Sequence, residues 1–366
     1  MSLVFDGASL RLARVFNAMT LDEVAEKVGK TRQYINKIET GQSHPTEQLA
    51  HDIAHALNVM PSFFSPRSGR IHEDQFHFRK LLTTTKTIKQ VAVARGEIAN
   101  ALIGFLEHEL NLPSIRIPST SDFHTPDSIE RLADSCRRNW ELGLGPIQNM
   151  TRLAENLGVM VLSFNGISKE IDALSVATKR PFIVRNSTKE STGRHRFDIA
   201  HELGHLVMHE GIVTGDRVTE NQANRFASSL ILPRAMMEKF FPKPKGTRLD
   251  WIGIREFKKT WGASKAAILY RARQLELIND SQYRTGVITL KKHEGTHEKD
   301  DFLIPNEPPE LLPASISLLS KKRGIGVREI AEALNVKPEF LKNIFDPDVF
   351  QDNREIQKPN HLRLVI

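Results

Sequence analysis

The stretch that decides the fold reads His-Arg-Phe-Asp-Ile-Ala-His-Glu-Leu-Gly-His-Leu-Val-Met-His at 195–209, followed by Glu-Asn-Gln-Ala-Asn-Arg-Phe-Ala-Ser-Ser-Leu-Ile-Leu-Pro at 220–233. Phe197, Ile199, Ala200, Leu203, Leu206 and Val207 recur at helical spacing, which predicts an amphipathic helix with one buried face and one face bearing histidines. His201 and His205 stand one turn apart, so both imidazoles reach a single metal ion, while Glu202 beside them can take a proton from an activated water. Gly211 and Gly215 end this helix, and a second is expected from about Val218 to the stop at Pro233.

A structural zinc site is filled by four protein ligands, whereas a catalytic one keeps three and leaves a place for water. Glu220, one short loop after His205, is expected as the third ligand, with Glu210 and Asp216 as alternatives. Asn224, one turn further on, is placed to bond the remaining nitrogen of a liganding histidine. His209 lies eight helical residues from His201, about 12 Å along the axis, too far to join it as a ligand. It is expected behind a ligand or at the rim. His195 and His209 are the candidates for steadying an oxyanion.

Both blocks, in this order, resemble the ImmA/IrrE family of zinc metallopeptidases. The resemblance implies Zn2+ held by His201, His205 and Glu220, with Glu202 as the base and helix-turn-helix repressors as substrates. It runs more loosely over 129–283. Asp198 departs from the pattern, which has a small hydroxyl residue there.

Upstream, two helices are expected between Ile129 and Gly158. Three short β-rich runs follow at 159–164, 171–177 and 182–185. They predict a small antiparallel sheet beside the metal helix, with an edge strand able to align an extended substrate by main-chain bonds. Residues 186–194 read as a polar lip of the cleft.

The first sixty residues carry a different signal. Leu10, Leu12, Ala13, Val15 and Phe16 form one apolar pattern; Thr20 caps a helix through Val24, Ala25 and Val28 to Gly29; Thr31 caps the next, with Tyr34, Ile35 and Ile38 facing inward before Gly41. Further helices fit 46–57 and the turn opened by Pro61. This phrasing over 9–64, down to Ile38-Glu39-Thr40-Gly41, resembles the Cro/C1-type (XRE) helix-turn-helix domain. In such domains the second helix of the motif enters the major groove. By position Arg32, Gln33, Asn36 and Lys37 would meet bases, and Lys27 and Lys30 phosphates. Leu21 departs from the family, which often has a polar residue there.

With 366 residues, the chain should form two or three domains. The formal charge of +7 suggests an anionic partner, but 1–65 is near neutral. The excess lies in the connector, where Arg67, Arg70, Arg79, Lys80, Lys86, Lys89 and Arg95 face only Glu73 and Asp74. Arg79 and Lys80 are candidates for flanking phosphates. Cys136 is the only cysteine, which excludes an internal disulfide and cysteine-rich zinc sites and reads as a small buried hydrophobe. No apolar run is long enough to span a membrane and the first residues resemble no signal peptide, so a cytoplasmic protein is expected.

An amphipathic helix is expected at 87–110. Near the end, Ala25-Glu26-x-Val28 through Ile38 recurs as Ala331-Glu332-x-Leu334 through Ile344, an offset of 306, with Pro338 and Glu339 where Arg32 and Gln33 stand. That segment reads as a degenerate helix-turn-helix for packing or protein binding. The charged tract 291–301 reads as a solvated loop.

The expected protein is multidomain and mainly α: an all-α helix-turn-helix domain at 1–65, a basic linker and helix at 66–125, an α+β zincin-like metallopeptidase domain at 126–290 and a helical module at 302–366. The expected activity is a zinc endopeptidase addressed to a double-stranded DNA operator, cutting a helix-turn-helix repressor or another regulatory protein, with a homodimer compatible with a palindromic operator. The competing expectations are a regulator that senses a signal without turnover and self-cleavage within 66–90.

Overall fold

The computed structural model describes residues 4–66, 71, 75–80, 86–164, 171–186, 191–294, 298–345 and 347–350. The N-terminal helices are α1 (Gly7–Phe16), α2 (Leu21–Lys27), α3 (Arg32–Glu39) and α4 (Glu47–Ala56), followed by a 3-10 turn at Pro61–Phe64. Each start is set by a side-chain oxygen that accepts an otherwise unpaired helix N–H: Asp6 for α1, Thr20 with Glu23 in a reciprocal capping box for α2, Thr31 for α3 and Thr46 for α4. Gly7 is required because a Cβ there would sit 2.1 Å from the Ile38 carbonyl oxygen. Arg14 locks the same contact between α1 and α3 by a two-pronged ion pair to Glu39, at 2.6 and 3.0 Å.

A 24-residue helix, α5 (Lys86–Glu109), then leads into α6 (Pro126–Asn139) and α7 (Met150–Asn156). The sheet has four strands, β1 (Phe76–Lys80), β2 (Met160–Ser163), β3 (Ile171–Val176) and β4 (Phe182–Arg185), in the order β1-β3-β4-β2. It is mixed, not wholly antiparallel as the sequence reading expects. β3 pairs antiparallel with both β1 and β4, but β2 lies against β4 and runs parallel to it. Since β2 skips its sequence neighbour β3, alternating direction is broken at that one pair. The fourth strand comes from the basic connector, whose low apolar content conceals it. The side chains of Arg79 and Lys80 lie outside the described residues.

Helices α8 (Thr192–Met208) and α9 (Arg217–Ile231) carry the signature blocks, and α10 (Arg234–Phe240), α11 (Trp251–Trp261), α12 (Lys265–Gln274) and α13 (Asp280–Glu294) complete a second helical layer. α8 begins at Thr192, capped by Ser191, so the expected lip is shorter than 186–194, and its part at 187–190 lies outside the described residues. The tract 291–301 is not a solvated loop: α13 runs to Glu294, and Glu298, Asp300 and Asp301 each meet the buried Lys258 ammonium at 2.6–2.7 Å. Lys265 adds Glu294 at 2.6 Å and Asp300 at 2.8 Å. Two ammonium groups thus gather four acids that read from sequence as water-facing.

The sheet separates two apolar cores. One face, with Met160, Leu162, Leu174, Val176, Phe182 and Val184, packs with α5, the N-terminal helices and the C-terminal helices α14 (Leu311–Arg323), α15 (Val327–Ala333) and α16 (Pro338–Lys342). The other, with Val161 and Ile183, packs against the layer built on α8 and α9. Burial on both sides explains why all four residues of β4 are buried and why that strand shows no polar alternation.

The C-terminal repeat is sharper at an offset of 277 than at 306. Ile53-Ala54-x-Ala56-Leu57-Asn58-Val59-x-Pro61-x-Phe63 recurs as Ile330-Ala331-x-Ala333-Leu334-Asn335-Val336-x-Pro338-x-Phe340. The two copies meet. Val59 and Val336 form an antiparallel bridge in which Met60 N–H donates to the Asn335 carbonyl and Lys337 N–H to the Asn58 carbonyl, at 2.9 and 3.0 Å. Phe340 stacks on Phe16 with ring centroids 3.7 Å apart. Both asparagines hold left-handed backbone, φ 57° and 58°, the turn that directs each chain into the bridge.

Candidate metal centre and DNA-facing helix

α8 is buried along nearly its whole length because it lies between β3, α7 and α9. Gly204 permits the closest of these contacts, since a Cβ there would meet the Phe226 ring at 3.0–3.3 Å. With α9 drawn in, Glu220 comes to face the two histidines. Its carboxylate oxygens lie 3.5 Å from His201 Nε2 and 3.4 Å from His205 Nε2, and the two Nε2 atoms are 3.0 Å apart. One donor atom from each of the three residues falls within 4.8 Å of the others.

This donor set fits a zinc ion. Bonds of about 2.0–2.1 Å in a tetrahedron place neighbouring donors roughly 3.3 Å apart, close to the observed spacings. The outer nitrogens are also occupied in a way that leaves Nε2 as an acceptor. His201 Nδ1 lies 3.0 Å from Asn224 Oδ1, so it is the donor there. His205 Nδ1 lies 2.9 Å from His209 Nδ1, and His209 Nε2 lies 3.0 Å from Gln222 Oε1. Gln222 can only accept at that atom, so His209 donates through Nε2, accepts through Nδ1, and thereby takes the His205 proton on the outer side. Burial pushes His205 down to about 3 and lowers His209 as well, so both rings are neutral.

Glu202 is fully buried, and the Ser175 hydroxyl on β3 donates a short hydrogen bond to its Oε2. Ser175 is the polar position in an otherwise apolar stretch, Ala173-Leu174-Ser175-Val176; that lone hydroxyl is the only signal the sequence offers for it. His77, Thr214 and Gln222 also reach the site without having been expected there. His77 lies parallel to the His205 ring at 5.2 Å, and its Nδ1 is 3.0 Å from Thr214 Oγ1.

The alternative ligands are not brought in. Asp216 is exposed and caps α9 through Val218 N–H and Thr219 N–H, and Glu210 is exposed in the turn. His195 is buried with Nε2 3.3 Å from the Asn186 carbonyl. Asp198 is buried on α8.

At the other end of the chain, Lys27, Lys30, Arg32, Gln33, Asn36 and Lys37 are all exposed, while Ile35 and Ile38 of the same helix are buried. Among the described residues Arg32 makes a long contact of 3.7 Å with Asp22, both groups being largely in water, so it is available to a ligand at little cost.

Among the described residues, no helix is long and apolar enough to cross a membrane. No curated protein matches the chain. Residues 10–64 match the model of the helix-turn-helix family, and residues 154–273 match that of the IrrE N-terminal-like domain, a peptidase family. The first match ends at Phe64 and the second opens within α7, so β1, α5, α6 and the C-terminal repeat lie outside both. The chain therefore carries an XRE-type helix-turn-helix domain on its N-terminal side and, after it, an IrrE/ImmA-like metallopeptidase-like domain, the layout of a DNA-binding regulator with a protease domain.

Proposed function

We propose that this protein is a zinc-dependent endopeptidase that reaches its target through DNA and cleaves a regulatory protein, a helix-turn-helix repressor being the favoured substrate. The observation that carries the reading is the convergence of His201 Nε2, His205 Nε2 and the Glu220 carboxylate beside a carboxylate, Glu202, that takes no part in that triangle. A zinc ion held by the three would supply Lewis acidity and make a water acidic enough to lose a proton near neutral pH. Glu202 would receive that proton and deliver it to the leaving amine, while Ser175 fixes the orientation of its carboxylate. Asn224 and His209 hold the imidazoles in the tautomer that presents Nε2 inward. Arg32, Gln33, Asn36 and Lys37 on α3 would read the operator, with Lys27 and Lys30 on phosphates.

The test compares wild type with Glu202→Gln, both zinc loaded, against a panel of helix-turn-helix repressors and against the protein itself. Removing a general base should slow cleavage by about 10²–10⁴-fold. Equal behaviour of the two proteins in every mixture would sink the enzyme reading. One observation favours a second reading, a regulator that does not turn over: His201, Glu202 and His205 are each 0% exposed.

A further inference from the structure

An endopeptidase must admit an extended main chain to its reacting groups, yet in this conformation His201, Glu202 and His205 are fully buried, with Glu220 half-buried beside them. Most of that burial comes from β3, α7 and α9, and one cover, over His205, is added by β1. It occupies the edge of the sheet against β3, and its register is tied at one end by two bonds between Gln75 and Ala177: the Ala177 N–H donates to the Gln75 carbonyl at 2.9 Å, and the Gln75 side-chain amide donates back to the Ala177 carbonyl at 2.8 Å. Two residues on, His77 pairs with Ser175, the residue that holds Glu202. From there the His77 ring covers His205 and bonds Thr214 in the loop between α8 and α9. The His77 side chain thus reaches from the sheet edge to the loop joining the two ligand-bearing helices, and it is completely buried.

We propose that β1 is a resident occupant of the peptidase's own substrate groove, a built-in extended peptide that keeps the site shut until it leaves β3. The inference rests on the peptidase reading above and adds its regulation. An extended chain binds a sheet edge through main-chain bonds, and with β1 removed β3 becomes such an edge. β1 runs antiparallel to it over Phe76-His77-Phe78-Arg79-Lys80, with Phe76 in the core on one face and His77 toward His205 on the other. The ligand class is accordingly an extended peptide held by main-chain bonds, with a flat ring at the position that meets His205. A tethered strand competes at an effective concentration on the order of millimolar, so a substrate in trans is excluded while β1 stays paired.

The probe is a fluorescent peptide of the sequence Gln-Phe-His-Phe-Arg-Lys, residues 75–80 of this chain. Its binding is measured by anisotropy to the full chain carrying Glu202→Gln, so that no turnover is required. Adding His77→Pro removes the His77 N–H and the ring over His205 but keeps Phe76, whose ring packs against Gly96 of α5. The peptide should bind this variant at least tenfold more tightly. A second variant guards against misfolding: Gln75→Cys with Ala177→Cys closes β1 onto β3 reversibly, the native Cys136 being buried. Oxidation should abolish peptide binding, and reduction should restore it to the level of the unlocked chain. Equal binding by all forms overturns the proposal. So does cleavage of zinc-loaded wild type within its own residues 75–80, which would make β1 a substrate. If His77→Pro binds the peptide tightly but, with Glu202 restored, cuts nothing, the occupancy stands and the peptidase reading falls.

Discussion

Replacing Phe340 by alanine tests whether the C-terminal repeat and the DNA-binding domain are one folding unit. The ring is fully buried, stacked on Phe16 of α1 at 3.7 Å and 12°, and 6.1 Å from Phe63 in the turn after α4. Truncating a buried Phe costs about 3–5 kcal/mol, of which the aromatic pair accounts for roughly 0.5–1.5 kcal/mol. Whole domains are stable by only about 5–15 kcal/mol, so the loss is a large share. It should fall on the N-terminal helices, because those are the groups the ring touches. The chain's tryptophans, Trp140, Trp251 and Trp261, belong to the opposite core, so their fluorescence reports on the wrong side of the sheet. Hydrogen exchange read peptide by peptide is the suitable assay. Amides of α1 and of Pro61–Phe64 should lose roughly two to three orders of magnitude of protection, while exposed Glu339→Ala stays within about 0.5 kcal/mol of wild type. Unchanged protection in α1 would refute the shared unit.

Three further outcomes are expected. Asn224→Ala frees His201 Nδ1 and should weaken zinc about 10–100-fold in a chelator competition; unaltered affinity would show that the contact does not orient the ligand. Arg32→Ala should cost roughly 1–3 kcal/mol of specific operator binding at fixed salt, and full retention of specificity would remove α3 from base reading. Burial pushes Glu155 up to about 8 although it accepts the N–H groups of Glu310 and Leu311. With a folded pKa above the ordinary 4.5, its contribution to stability is complete below about pH 4.5 and is lost as pH rises through about 8. Glu155→Gln should therefore flatten the fall in melting temperature over that window, and an unchanged slope would contradict the assignment.

What the sequence determined by itself was whatever depends on neighbours along the chain. The turn of a helix places His201 under His205, and Thr20, Thr31 and Thr46 start their helices by bonds that reach only three residues. The mixed strand order, β1 hidden in a basic connector, and the acids of 291–301 gathered on Lys258 and Lys265 were not legible, because strand pairing and ion pairing join residues far apart in number. For the same reason the repeat was legible as a repeat, but its better register became evident only when Val59 met Val336. The sequence already favoured Glu220 as the third ligand, but only the tertiary structure set Asp216 and Glu210 aside, through the close approach of α9 that Gly204 allows. It also decided that Ser175 holds Glu202 and that His77 covers His205. Local spacing assembles the pair of imidazoles; packing across the sheet edge sets what can reach them.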